Sequence, residues 1–256
     1  MIEKLNPVKF AFPIMLVLAS WLNSPAVSKV ELTSQANTQR PTPPRTGTPK
    51  GNPTPGTTRP ETSCKDTDQT LTALFANNEL DYSHSEYPSF WFYIPYNPND
   101  IHQIEFLLLD SRERQTIYRT GVELTEGAGV IQIEVPRKKQ PALKLHKIYR
   151  WYLKLDCNPN KSNEPDLVVD GWLRRMPLNA SLPDPSDAIT FQNYLFYREN
   201  NLWYDAINTL AQLHFTNSDN HRFSSAWVDL LNSFGSGKVA PEEMVNSELY
   251  NIEIDD

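Results

Sequence analysis

Five large apolar or aromatic residues, Phe90 to Ile94, stand in a row between Pro88 and Pro95. The run is too short for an ordinary helix and rich in side chains that favour strands, so it predicts a central strand buried on both faces. With a period of two, Phe90, Phe92 and Ile94 share one face while Trp91 and Tyr93 share the other. Any fold for this chain has to cover both.

The sequence around this run supplies the partners. Ile104 to Leu109 reads as a second two-faced strand, Thr116 to Val122 as a third, and Leu71 to Leu74 as a short first strand or a turn. Glu126-Gly127-Ala128-Gly129 makes a turn before Val130 to Val135, where Ile131, Ile133 and Val135 alternate with Gln132 and Glu134. Lys147 to Cys157 sets Tyr149, Trp151, Leu153 and Leu155 against Arg150, Tyr152, Lys154 and Asp156. Leu167 to Arg174 sets Leu167, Val169, Gly171 and Leu173 against Val168, Asp170, Trp172 and Arg174. Strands this closely spaced, with no helix between them, predict an antiparallel immunoglobulin-like β-sandwich.

After Pro177 the period changes. Pro183-Asp184-Pro185-Ser186 offers a helix start with Ser186 as cap, and Ile189 to Arg198 has helical spacing. Leu202 to Phe215 follows with Trp203, Ala206, Ile207, Leu210 and Leu213 on one stripe, and Ser224 to Phe234 makes a third helix. Gly235-Ser236-Gly237 stops it, and the acidic tail Glu253 to Asp256 is expected to fray. The expected class is therefore mostly β with a helical appendage (α+β).

The N-terminus reads as an export signal. Lys4 and Lys9 precede an apolar run from Phe10 to Leu22, and small residues suit cleavage after Ala26 or after Ser28. The run is short for a membrane span and contains Pro13, so no stable membrane insertion is expected after cleavage. From Asn37 to Ser63 the chain is rich in Pro, Thr and Gly, the composition of a spacer. The expected organisation is a signal peptide at 1–28, a linker at 29–63, a β-sandwich at 64–176 and a helical region with an acidic tail at 177–256.

Cys64 and Cys157 are the chain's two cysteines, an even count that suits one disulfide in a secreted or periplasmic protein. On the chain-entropy model a loop of roughly 90 residues is stabilised by about 4–5 kcal/mol. Charge is uneven. Residues 64–175 carry 14 basic and 16 acidic side chains, whereas 176–256 carry 3 and 12. Such an acidic second half argues against nucleic acid or an anionic membrane as partner.

No phosphate loop, paired-histidine metal motif or nucleophile elbow is present. His84, His102, His146, His214 and His221 are scattered singly. Asp156, Asn158, Asn160, Ser162, Glu164 and Asp166 open like a calcium loop, but Lys161 replaces its glycine and Leu167 its bidentate glutamate. A turn of Asn and Pro is the better reading, so no metal or cofactor is expected. Carboxylates are plentiful, which keeps a glycosidase-type pair open. Trp91, Tyr93, Tyr152 and Trp172 are the candidate binding residues, grouped on one sheet face beside Arg150, Lys154, Asp170 and Arg174, unless the helices cover that face.

Tyr87-Pro88-Ser89-Phe90-Trp91-Phe92-Tyr93-Ile94-Pro95, Tyr149-Arg150-Trp151-Tyr152 before Cys157, Asp170-Gly171-Trp172, and Asn201-Leu202-Trp203-Tyr204-Asp205-Ala206 together resemble the cyanobacterial domain of unknown function family number 928. The resemblance implies a secreted cyanobacterial protein and carries no activity with it. Separately, Tyr197 to Leu210 is similar to the turn region of a tetratricopeptide repeat, but there is no second copy and the segment reads as a helical hairpin. The expected function is a non-catalytic interaction module for a protein or cell-wall glycan partner. The alternative is a periplasmic hydrolase acting on cell-wall glycan or peptide.

Overall fold

The computed structural model describes residues 63–76, 81–160, 165–178, 181 and 189–252. The signal, most of the linker, the Ser186 cap and the acidic tail named above lie outside them. Every described residue belongs to one compact unit, within residues 39–256.

Two sheets pack face to face. The small one has the order β1 (Thr72–Ala73), β3 (Ser89–Ile94), β6 (Gly129–Glu134). The large one has the order β2 (Asp81–Ser83), β8 (Leu167–Arg175), β7 (Ile148–Asp156), β4 (Gln103–Asp110), β5 (Thr116–Leu124), β9 (Ser247–Tyr250). The aromatic run is the central strand of the small sheet, and all six of its residues are buried. Phe90 and Phe92 point across the gap, where Phe90 meets Phe106 at 4.9 Å and Phe92 meets Trp151 at 5.5 Å between ring centroids.

Trp151 needs an empty space beside it. Gly171 lies directly opposite on β8, and a Cβ there would sit 2.3 Å from the indole. Glycine is thus required by the neighbouring strand and not by a turn.

Three helices follow the sheets: α1 (Phe191–Glu199), α2 (Trp203–Thr216) and α3 (His221–Ser233). The hydroxyl of Thr190 caps α1 by accepting from the Asn193 N–H, and Asn220 caps α3 by accepting from the Arg222 N–H. Gly235, at φ 79°, ends α3 as expected. On α2 the stripe Ala206, Ile207, Leu210 and Leu213 is buried, and Trp203 is half-buried against Phe234. Tyr204 reaches furthest: its hydroxyl donates to the Trp172 carbonyl at 3.0 Å and accepts from Trp151 Nε1 at 2.6 Å. Helix α2 thereby plugs the opening between the sheets at the β8 side. Burial raises the Tyr204 phenol well above its ordinary value, so it stays neutral and can serve as donor and acceptor at once.

The wholly antiparallel expectation fails at one edge, because β2 runs parallel to β8. The chain after α3 also turns back into the sandwich, with Met244 bridging to Val130 of β6 before β9 pairs with β5. Strands of three or four residues show no usable alternation, which is why β2 and β9 escape a reading by period.

Cys64 and Cys157 are bonded to each other across 93 residues of sequence, tying the segment before β1 to the end of β7. Among the described residues no helix is long and apolar enough to cross a membrane.

Candidate functional site

A cleft of about 600 Å³ opens where the end of β2 and the loop after it meet α1 and α2. Parallel pairing of β2 with β8 delivers Ser83 and His84 to this point, and the first turn of α2 delivers Asp205. Asp205 Oδ2 accepts from the His84 backbone N–H at 2.9 Å, and Oδ1 accepts from the Ser83 hydroxyl at 3.1 Å. The same Oδ1 lies 2.8 Å from His84 Nδ1. Burial works against charge on His84, but the hydrogen bond and the negative charge of Asp205 outweigh it. The imidazole ends above its ordinary value of 6.5. Tyr197 lies against this ring at 5.1 Å.

The Ser83 hydroxyl donates to Asp205 and accepts the Ser85 N–H at 3.0 Å. A serine nucleophile would instead donate to the imidazole, so this trio is wired as an anchor and not as a nucleophilic triad. Arg175 is similarly committed: Nη2 donates to Glu86 at 3.0 Å, Nε to the His84 carbonyl at 3.3 Å, and Nη1 to the Leu143 carbonyl.

Further along α2 the lining carries amides. Asn208 Oδ1 accepts from both Trp91 Nε1 and Gln132 Nε2, each at 3.1 Å, and Gln132 Nε2 also reaches Ser89 Oγ at 3.0 Å. Thr209 and Gln212 of α2 and Asn193 of α1 also line the cleft, and the guanidinium of Arg137 lies over the Tyr87 ring at 5.9 Å.

The four expected binding residues do not share one face. Trp91 and Tyr93 lie on the outer side of the small sheet, where Trp91 stacks on Phe215 of α2 at 5.9 Å. Tyr152 and Trp172 lie on the outer side of the large sheet, beside Arg150 and Asp170 as expected. The Arg150 guanidinium sits 4.5 Å above Trp172 and 5.1 Å from the Tyr152 ring, and pairs with Asp170. Trp172 is only 4 % exposed, so it offers almost no surface to a partner. The one-face grouping fails because it assumes Trp91 and Trp172 belong to the same sheet. Of the four, Trp91 alone touches the cleft, through Asn208.

Cys64, Cys157 and Asp166 come close enough together to be considered as metal ligands, but both sulfurs are spent in the disulfide. Asp166 accepts from the backbone N–H groups of Ser63 and Cys157, at 3.2 and 3.0 Å. In the calcium-like loop, Asp156 accepts the Asn158 N–H and Asn158 accepts the Asn160 N–H. Those two contacts are the self-bonded turns typical of Asp and Asn, and residues 161–164 lie outside the described part.

A family model described as Domain of Unknown Function (DUF928) matches residues 54–244. The chain belongs to this family. The matched span holds every residue of the cleft and stops short of β9. No curated protein matches the chain. His84 and Asp205, the centre of the cleft, are 121 residues apart, and nothing in the sequence pairs them.

Proposed function

We propose that this chain is a secreted or periplasmic, non-catalytic interaction module of a cyanobacterial cell, its immunoglobulin-like sandwich serving as scaffold. Its partner is a cell-wall glycan held in the His84 cleft. The observation that carries this reading is the wiring of the anchor: Asp205 and Ser83 spend their polar atoms on each other and on His84. The cleft is otherwise lined by a mixture suited to sugars, the rings of Tyr87 and Tyr197 beside Asn208, Thr209 and Gln212. Export is supported by the disulfide, a bond that persists in oxidising compartments, and by the N-terminal apolar run.

The test uses the indole N–H of Trp91, whose acceptor Asn208 lines the cleft. Soluble peptidoglycan fragments titrated into nitrogen-15-labelled protein should shift this signal saturably, with no new reducing ends released. A signal that never moves, or moves only with a protein partner, overturns the glycan assignment.

One observation favours the hydrolase reading instead. A histidine whose Nδ1 is held by a carboxylate is the arrangement of a general base. If the fragments are cut and His84→Ala abolishes the cutting, the protein is an enzyme.

A further inference from the structure

Among the described residues, strand β9 ends the large sheet and is hydrogen-bonded on one side only, to β5. The Thr125 N–H donates to the Asn246 carbonyl at 3.2 Å, which sets the phase of the ladder. Residues 246, 248 and 250 turn their main-chain groups toward β5, and antiparallel alternation turns those of Ser247 and Leu249 outward. An open row of this kind is a template for another strand.

The side chains around the row are unusual for a free edge. Glu248 stands directly opposite Glu123, both are exposed, and neither has a cationic partner among the described residues. Like charges placed so are mutually destabilising. Met244, Leu249 and Tyr250 are 42 %, 40 % and 42 % exposed, three of the six exposed large apolar side chains among the described residues. Tyr250 lies flat over Gly121, where a Cβ would come within 2.2 Å of the ring, so the outer face here is a smooth shelf bordered by carboxylates.

We propose that the free edge of β9 accepts an added β-strand from a partner protein, in a segment that alternates basic and apolar side chains. Its basic residues lie beside Glu248 on the outer face, with Glu123 one strand further in, and its apolar residues lie against Leu249 on the other face. The same two carboxylates disfavour a second copy of this chain, which would bring more acid to an acidic edge. The site is independent of the glycan reading, because β2, which borders the cleft, is at the opposite end of the sheet.

A hexapeptide of alternating lysine and valine, titrated into the nitrogen-15-labelled full-length protein, tests this. The Ser247 and Leu249 amides should shift saturably and become protected from exchange, while a hexapeptide of glutamate and valine leaves them unmoved. Glu248→Lys should weaken the lysine peptide about fivefold. Leu249→Pro removes an outward N–H without touching the β5 ladder, so binding should be lost with thermal stability kept. Unmoved Ser247 and Leu249 amides would overturn the proposal. So would equal binding of both peptides, or a dimer by light scattering whose β9 amides are already protected.

Discussion

Trp91 and Trp172 both point outward, from the small and the large sheet respectively, and both are shielded from water. Their coverings differ. Over Trp91 lies a helix, which stacks Phe215 on the indole and supplies Asn208 as acceptor for its N–H. Over Trp172, among the described residues, lies the guanidinium of Arg150, itself only 2 % exposed, which also pairs with Asp170 on the same strand as the tryptophan. One indole is stacked by a helix and the other by a neighbouring side chain on the same sheet. The contrast teaches that an aromatic residue beside an arginine on a strand need not be a binding surface, because a flat cation can close it.

The comparison is broken most directly at Trp91. Trp91→Ala leaves a hole under α2 and deprives Asn208 of a donor, and should cost about 3–5 kcal/mol. Urea unfolding measures it, and Trp91→Phe should recover most of the loss because the stack on Phe215 remains. A loss well under 1 kcal/mol for the alanine variant would mean the helix does not hold this face.

The second test is Arg150→Met, which keeps a stem over Trp172 but removes the charge. Burial already raises the Asp170 carboxyl above its ordinary value, with Arg150 working against that rise. Without the guanidinium the carboxylate is left with less compensation, and we expect a loss of about 2 kcal/mol. Adding Asp170→Asn to the same chain should return part of it. If the double variant is no better than the single one, the guanidinium does not act through Asp170.

The two faces also explain what a reading of the sequence reaches. The faces of individual strands are legible because Phe90, Phe92, Tyr149 and Trp151 repeat with period two, and the structure buries them together. Sheet membership is a different matter. Nothing local records that β3 pairs with β6 while β7 pairs with β4 and β8, since pairing is decided by contacts distant in sequence. The cleft was beyond reach for the same reason: His84 is one isolated histidine and Asp205 one acid in a helix's first turn, a position acids favour anyway. The stripe on α2, by contrast, is written plainly in Ala206, Ile207 and Leu210.

The smallest effect expected is also the most specific to the helix-covered face, since Asp205 on α2 holds His84 beside β2. The folded state raises the His84 value above 6.5, so the protonated imidazole contributes stability that is fully present below the unfolded value. That stability is lost as pH rises through the folded value. His214, also on α2, works the other way: burial lowers its value, so its contribution is lost as pH falls. The quantity to measure is therefore the difference between the protein and His84→Asn, at about pH 5.5 and about pH 8.5, in which the His214 contribution cancels. The protein should be more stable than the variant by about 1 kcal/mol at the lower pH, and by less at the higher. Exchange of the α2 amides should quicken over the same rise in pH, beyond the ordinary base catalysis seen in α3. A difference that is flat, or that grows with pH, would show that Asp205 holds His84 through neutral hydrogen bonds and that charge does not pin the helix.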